Sequence, residues 1–167
     1  INALFHSSSG GMTENSQDVW KNEYPYLSSV RDFDRNNPKL QWKKKFSSGE
    51  LQKLFPEIGG IKKIEILNIT NTGRVKNVKI FGKYGSDQIS GVDIRKRMNL
   101  KSTFMRFKFI EDKKYISDND NSNIPIEKTL IVFGQGSGHG VGMSQWGARY
   151  MASKGQKAER ILKHFYK

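Results

Sequence analysis

The stretch that decides the fold is Thr129-Leu-Ile-Val-Phe133, followed by Gly134-Gln-Gly-Ser-Gly-His-Gly-Val-Gly142 and Met143-Ser-Gln-Trp-Gly-Ala-Arg-Tyr-Met-Ala-Ser153. The first segment is rich in β-branched and aromatic residues, which predicts a strand. The last segment has helical spacing, and Gly155 follows it as a left-handed helix cap. Between them, glycine occupies every second position, and this glycine loop is the most informative pattern in the chain.

Alternate glycines in an extended backbone leave one face of the chain without side chains. A flat ligand such as a sugar ring could lie against the bare peptide groups, with donors, acceptors and an indole beside it. The candidate ligand-binding residues of this segment are Gly138, His139, Gly140, Gly142, Met143, Ser144, Gln145 and Trp146. A flexible turn between strand and helix explains the same spacing, so both interpretations stay open.

Three better-known glycine motifs do not fit this segment. A dinucleotide-binding fold needs a clean G-x-G-x-x-G and a second βαβ unit, and a P-loop needs Gly-Lys-Ser/Thr at its end. Gly142-Met-Ser-Gln-Trp-Gly147 is one residue too long for the nucleophile elbow of a hydrolase. A hydrolytic pair of Ser144 and His139 is therefore a minority interpretation.

A second polar constellation, the first loop, covers residues 6–20. Its candidate ligand-binding residues are His6, Ser7, Ser8, Ser9, Gly10, Gly11, Thr13, Glu14 and Trp20. Hydroxyl groups suit the hydroxyls of a sugar, and an indole supplies an apolar face for stacking. A series of side-chain turns around a core tryptophan is the competing interpretation.

The three histidines, His6, His139 and His164, are far apart in the sequence, and no thiolate is available to join them. No metal and no other cofactor is therefore predicted. His164 is expected on the surface or at a helix end.

The rest of the chain predicts one α+β domain over residues 1–167, with a mostly antiparallel sheet, short helices, a helical carboxy terminus and a glycan-binding groove. Ser47-Ser-Gly-Glu50 is a capping box that begins a helix, and Asn71-Thr-Gly73 joins the strands of a hairpin. Residues 113–128 are polar and are predicted to form a mobile loop. The inner face of the final helix is predicted to consist of Ala158, Ile161, Leu162 and Phe165.

Composition narrows the classes of function. The 167 residues include 29 Lys or Arg against 16 Asp or Glu, so the formal net charge is +13. Such a charge attracts nucleic acid, anionic lipid or acidic cell-wall polymers, but it also serves solubility alone. The basic residues are scattered and no nucleic-acid-binding motif is present, so nucleic acid is not predicted as a partner. The absence of cysteine excludes disulfides, thiolate zinc sites and cysteine nucleophiles.

Two long motifs carry a resemblance to a known family. The first is His6-Ser-Ser-Ser-Gly-Gly-Met-Thr-Glu-Asn-Ser-Gln-Asp-Val-Trp20 with Pro25-Tyr-Leu27, and the second is Gly136-Ser-Gly-His-Gly-Val-Gly-Met-Ser-Gln-Trp-Gly-Ala148. Shorter matches are Ile89-Ser-Gly91, Ile94-Arg95, Met151-Ala152 and Ile161-Leu-Lys-His-Phe-Tyr166. In this order the residues resemble the stage II sporulation protein D family, which also contains amidase-enhancer proteins.

The resemblance implies a lytic transglycosylase that cleaves peptide-stripped (denuded) peptidoglycan strands to 1,6-anhydro-muramyl products during engulfment. It implies a partner cell-wall amidase, membrane sporulation proteins, and a place outside the mother-cell membrane, held by an amino-terminal helix that is not in this chain. The family's catalytic glutamate is expected upstream of Ile1, so the chain is predicted to be a carboxy-terminal portion and inactive alone. Glu14 is the fallback acid within the chain. No metal is carried over from the family.

Two further expectations concern mechanism and role. A stripped strand carries a lactyl carboxylate on each muramic acid, so the net charge of +13 is expected to steer it to the protein. The alternative role is a non-catalytic wall-binding module that activates an N-acetylmuramoyl-L-alanine amidase.

Overall fold

The architecture is α+β, which confirms the predicted class. A computed structural model of the chain describes residues 2–20, 22–112 and 127–167. The strands are β1 Phe5–His6, β2 Gln41–Phe46, β3 Lys63–Ile69, β4 Val75–Phe81, β5 Ser86–Ser90, β6 Met105–Asp112, β7 Glu127–Gln135 and β8 Met143–Ser144. The helices are α1 Ser16–Val19, α2 Ser48–Leu54, α3 Gly91–Arg97, α4 Gln145–Ser153 and α5 Ala158–Phe165.

Strands β1 and β8 form a two-stranded parallel sheet, and the other six described strands form two antiparallel sheets of three rather than one sheet. One sheet has the order β2-β7-β6 and the other has the order β3-β4-β5. The predicted hairpin is confirmed, because β3 and β4 pair on either side of the Asn71–Gly73 turn, where Gly73 has a φ of 86°. Residues 127 and 128 lie within β7 rather than in a loop, because they pair with β6. The remainder of the predicted mobile loop, 113–126, lies outside the described residues.

Local signals place the helices where they were predicted. The capping box is confirmed at the start of α2, where the Ser47 hydroxyl accepts from the Glu50 amide and the Glu50 side chain accepts from the Ser47 amide. Gly155 has a φ of 78° just after α4, as expected of a left-handed cap. Helix α4 begins at Gln145 rather than Met143, because Met143 and Ser144 pair with β1 instead.

The main apolar core lies between the two sheets and helices α2 and α3. Burial of each large apolar side chain contributes roughly 1.5–3 kcal/mol to folding. Its fully or almost fully buried members include Phe46, Leu51, Phe55, Val78, Ile80, Ile94, Met98, Leu130 and Val132.

A smaller cluster joins α4 to α5. Ile161 and Phe165 of α5 pack there with Val30 and Met151. Ala158 is exposed and Leu162 is 48% exposed, so the predicted inner face of this helix is wrong at those two positions. Partly buried neighbours of this cluster include Phe33, Met143 and Ala148.

The two motifs that are far apart in sequence meet through β1 and β8. These strands pair in parallel, with Phe5 beside Met143 and His6 beside Ser144. Isolated bridges continue the contact between Ser8 and Ser137 and between Glu14 and Val141. The first loop and the glycine loop are therefore laid side by side. Within the described part of the chain, no helix has both the length and the apolar character that crossing a membrane requires.

Candidate functional site

The glycine loop is coiled rather than extended. Gly136, Gly138, Gly140 and Gly142 have φ values of 74°, 109°, 87° and 73°, all in the region that favours glycine. The expectation of an extended strip is therefore wrong, because each alternate residue reverses the local direction of the backbone.

The faces left bare by these glycines are occupied by the protein itself. A Cβ on Gly138 would lie 2.7 Å from the His6 Cβ, and one on Gly140 would lie 2.7 Å from the Arg74 Cζ. Gly142 is likewise covered by the Leu4 carbonyl, and both Gly140 and Gly142 are buried. The predicted sugar floor at these glycines is thus replaced by packing that holds the first loop and positions His139.

Two imidazole rings and an indole form a row at the end of the glycine loop. The centroid of the His139 ring lies 5.1 Å from that of Trp20 and 5.6 Å from that of His6. His139 Nδ1 accepts from the Val141 amide at 3.1 Å, and His6 Nδ1 lies 3.1 Å from the Val141 carbonyl oxygen. The same residue therefore orients both rings, one through its N–H and the other through its C=O.

Both rings are neutral near pH 7. Burial and the neighbouring His139 ring lower the pKa of His6 to about 3. Burial also lowers the pKa of His139, although a hydrogen bond to the Phe5 backbone opposes this. Because His6 Nδ1 must carry a proton to donate to a carbonyl, its Nε2 is a buried acceptor, and no residue that the structure describes donates to it.

Glu14 is completely buried beside this row. Its Oε2 accepts from the hydroxyls of Thr70, at 2.6 Å, and Thr72, and its Oε1 accepts from the Asn15 amide at 3.0 Å. The Arg74 Nε lies 3.7 Å from Oε2. The two hydroxyls and the amide donate to the carboxylate, whereas Arg74 contributes its charge without a hydrogen bond. The carboxylate is thus an acceptor that anchors the β3–β4 turn to the first loop.

Arg74 is the largest fully buried side chain, with 2% of its surface exposed. It donates through Nη2 to the Ser9 carbonyl, and its guanidinium lies 5.7 Å from the Phe104 ring centroid. Neither its Nε nor its Nη1 has a hydrogen-bond partner among the described residues, and burial lowers the pKa of its guanidinium. The charge of Glu14 compensates for this burial.

Two further carboxylates accept hydrogen bonds from the first loop. Asp34 Oδ2 accepts from the Ser8 hydroxyl at 2.5 Å and from the Gly10 amide at 2.7 Å. Asp32 Oδ2 accepts from the Ser9 hydroxyl at 2.5 Å. Burial raises the pKa of the Asp32 carboxyl. We call the buried set Glu14, Asp32, Asp34 and Arg74, with their hydroxyl partners, the polar network.

A cavity of about 370 Å³ opens where the first loop meets the β3–β4 hairpin and helix α3. Trp20, which is 37% exposed, and His139 are among its lining residues. Its other lining residues are Glu14, Asp18, Val19, Thr70, Arg74, Val75, Lys76, Val92, Arg95, Lys96 and Thr103. A volume of this size is in the range of small-ligand sites.

The predicted site residues fall into three groups. Glu14, Trp20 and His139 line the cavity. His6, Ser8, Ser9, Gly10 and Ser144 are one layer behind it, where they support the rings or the polar network. The third group neither lines the cavity nor bonds to the rings or carboxylates behind it, and consists of Ser7, Gly11, Thr13, Gly138, Gly140, Gly142, Met143, Gln145 and Trp146.

The third group has identifiable backbone roles instead. The Ser7 carbonyl accepts from the Trp146 amide, the Gly11 carbonyl accepts from the Asp32 amide, and the Thr13 hydroxyl accepts from the Val30 amide. His164 Nε2 lies 2.7 Å from the Arg31 carbonyl oxygen, which ties α5 to the same region. Among the residues with described positions, no group of three or more His, Asp or Glu converges as a metal site would require.

Sequence reasoning missed the contributions of the hairpin and of α3. Thr70, Arg74 and Arg95 reach the site only through the pairing of β3 with β4 and the packing of α3. Asp32 and Asp34 also went unnoticed; their alternation with Phe33 in a loop is a weak signal of two carboxylates on one side.

No family model matches the chain. The chain is 34% identical, over 99% of its length, to the stage II sporulation protein D of Bacillus subtilis (strain 168), and equally identical to that of Bacillus amyloliquefaciens. It is 26% identical, also over 99% of its length, to the amidase enhancer of B. subtilis. The chain spans 43% of the length of the two sporulation proteins and 29% of the length of the amidase enhancer.

Proposed function

The chain matches the stage II sporulation protein D family along 99% of its length, and from this match we propose that it binds peptide-stripped peptidoglycan strands for lytic transglycosylation. The names of its relatives point to a role in the cell wall during sporulation. The products are chains that end in 1,6-anhydro-muramic acid. The cavity is the place where the sugar would be held.

The observation that carries this proposal is the pairing of Trp20 with the neutral His139 at the edge of a polar cavity. The indole, 37% exposed, offers an apolar face to a sugar ring. His139 Nδ1 accepts from the Val141 amide, so the ring is held in one orientation beside the indole. Thr103 lines the same cavity and adds a hydroxyl group.

The reaction needs one carboxylic acid. The acid gives its proton to the glycosidic oxygen as the bond from that oxygen to C1 breaks. The resulting carboxylate then takes the proton of the muramyl 6-hydroxyl as that oxygen bonds to C1, so no water is consumed. A carboxyl that works in this way is kept protonated by an apolar pocket.

Glu14 is poorly suited to that step, since its two oxygens accept hydrogen bonds from Asn15, Thr70 and Thr72. We therefore assign the acid to the segment upstream of Ile1, as the family resemblance implies. In this assignment Glu14→Gln leaves the turnover of correctly folded protein within about twofold. A loss of about a hundredfold or more, in the range of removed acid–base catalysis, would instead make Glu14 the acid.

Partners and location follow from the same proposal. The protein works outside the mother-cell membrane, after an amidase has removed the stem peptides, and together with membrane sporulation proteins. The positive net charge of +13 attracts the stripped strand, whose lactyl carboxylates are regularly spaced.

The deciding experiment digests purified glycan strands with the complete gene product. Strands with and without stem peptides are incubated in parallel, and the chain ends are identified by mass spectrometry. The expected result is the appearance of 1,6-anhydro ends from the peptide-free strands. Reducing ends, or no cleavage of either substrate, would refute transglycosylation.

A second function is favoured by the similarity to the amidase enhancer over 99% of the chain. In this alternative the same cavity binds wall glycan without cleaving it, and the protein stimulates a partner amidase. Addition of the protein to a purified amidase would then increase the release of stem peptides while no anhydro ends form.

A further inference from the structure

The charged residues around the cavity are not balanced. Six of them line it: Glu14, Asp18, Arg74, Lys76, Arg95 and Lys96. Arg74 Nε lies 3.7 Å from Glu14 Oε2, and Lys76 Nζ lies 3.1 Å from Asp18 Oδ1. Within each of these two pairs the positive and negative charges compensate. Arg95 and Lys96 of helix α3 therefore remain without a carboxylate partner among the described residues.

Arg95 is only half-buried, which separates it from an ordinary surface arginine. Its Nε donates to the Leu100 carbonyl at 3.3 Å, a contact that fixes the base of the guanidinium. Burial lowers the pKa of Arg95. This guanidinium is held by one nitrogen and lines the cavity, and its terminal nitrogens have no hydrogen-bond partner among the described residues. It is therefore a ready donor pair for a planar anion.

The surroundings of Arg95 reinforce this preference. Its charge acts on both Arg74 and His139, whose pKa values it lowers. Lys96 is exposed, while Arg74 is a buried cation whose Nη1 has no hydrogen-bond partner among the described residues. The cations Arg74, Lys76, Arg95 and Lys96 thus line the same cavity as Trp20 and His139.

We propose that Arg95, supported by Lys96, is a carboxylate subsite that binds the lactyl group of a muramic acid from which the peptide has been removed. This inference rests on the proposed function, because it assumes that the sugar lies between Trp20 and helix α3. In intact wall the same lactyl group is an amide, which carries no charge and cannot accept a bidentate pair from an arginine. The subsite therefore makes the cavity selective for strands that an amidase has already processed.

The test measures binding of two disaccharides of N-acetylglucosamine and N-acetylmuramic acid to the complete gene product by calorimetry. One has a free lactyl carboxylate and the other has it converted to the methyl amide. Wild type is expected to bind the acid about tenfold or more tightly, the usual size of a charge-assisted hydrogen bond. Arg95→Gln should bind both equally, and Arg95→Lys should retain part of the preference.

Arg97→Gln is the matched control. This residue lies on the same helix, but its guanidinium pairs with Glu57 at 2.7 Å and does not line the cavity. It should leave the preference for the acid unchanged. Circular dichroism of each variant confirms that a loss of binding is not a loss of fold.

The outcomes separate this inference from the proposed function. Equal binding of acid and amide by wild type, with anhydro ends still produced, would overturn the subsite and leave the transglycosylase intact. Preference for the acid that depends on Arg95, without anhydro ends, would support the subsite and favour the amidase-activating alternative. If neither disaccharide binds, the subsite is wrong.

Discussion

Ile80 in β4 and Glu14 in the first loop are both completely buried, but their surroundings differ in kind. Ile80 is enclosed by other apolar side chains of the main core. Glu14 is enclosed by hydroxyls, an amide and a guanidinium. The two regions meet at the β3–β4 hairpin, whose strands serve the core and whose turn serves the polar network.

The difference teaches where the chain tolerates change. An apolar contact is non-directional, so neighbours can relax around a missing methyl group. A buried carboxylate has no such freedom, because each unpaired donor or acceptor costs its full desolvation. We therefore expect a substitution in the polar network to lower the free energy of unfolding more than the loss of one methyl group in the core, although both regions are buried.

The largest effect is expected from breaking the pair of Glu14 and Arg74. Glu14→Ala leaves a buried guanidinium uncompensated and should lower the free energy of unfolding by about 3–5 kcal/mol. Urea unfolding of wild type and variant, followed by circular dichroism, measures this change in the free energy of unfolding.

A double variant makes that comparison sharper. Glu14→Gln combined with Arg74→Met removes both charges, so it should be less destabilised than the sum of the two single variants. Additive losses would show that the two residues do not act as a pair.

Acidification is the next largest test. The pKa of His6 is lowered to about 3 in the folded state, so between pH 3 and the ordinary value of 6.5 only the unfolded chain takes up the proton. Stability should therefore fall as the pH falls, by about 1.4 kcal/mol per unit below pH 6.5. His139, whose pKa is also lowered, acts in the same direction.

The raised pKa of Asp32 works against this trend, because its contribution is present below its ordinary value of 3.8 and is lost as the pH rises through the folded value. Unfolding of wild type and His6→Gln at pH 7.5 and 5.0 isolates the histidine. The variant should lose less stability on acidification, and an unchanged slope would contradict the assignment. His164→Gln, remote from the cavity, is the control.

A smaller effect is expected in the apolar core. Ile80→Val removes one methyl group from a fully buried side chain and should cost about 0.5–1.5 kcal/mol, with no dependence on pH between 5 and 8. Thermal unfolding at both ends of that range is sufficient. If Ile80→Val lowered the free energy of unfolding as much as Glu14→Ala, the expected difference between the apolar core and the polar network would be wrong.

The smallest effect on stability is expected at the rim of the cavity. Trp20→Ala removes a side chain that is 37% exposed and should cost less than about 1 kcal/mol. Binding of the peptide-free disaccharide should nevertheless weaken about tenfold, because the stacking surface is lost. Tyr84→Ala, which removes an aromatic residue 66% exposed and outside the cavity lining, is the matched control and should leave binding unchanged.

Short-range signals made much of the fold predictable. The capping box at Ser47 and Glu50 and the turn at Asn71–Gly73 depend on residues a few positions apart, and both are confirmed. The inner face of α5 was wrong at Leu162, because amphipathic spacing does not tell how much of a helix its neighbours cover.

The site was less predictable, for a physical reason. Trp20 and His139 carry chemical signals of their own, whereas Arg74 and Arg95 reach the cavity only through strand pairing and helix packing. The glycine spacing marked the right segment, but it did not reveal that the bare faces would be filled by His6 and Arg74. The spacing of the glycines indicates positions where a side chain would not fit, but it does not indicate which neighbouring residue occupies the space.

The pairing of β1 with β8 also has a consequence for biosynthesis. His6 and Ser144, which face each other there, are separated by almost the entire chain, whereas the sheet of β3, β4 and β5 is complete by residue 90. At about 5–20 residues per second, a ribosome needs roughly 7–28 s to travel from one to the other. During that interval the nascent first loop has carboxylates and hydroxyls but no glycine segment to close over them. The cavity is therefore complete only after His139 has been made. A premature stop after residue 135 would release a polypeptide that has the strands of both three-stranded sheets but lacks His139 and the glycines that pack against His6 and Arg74.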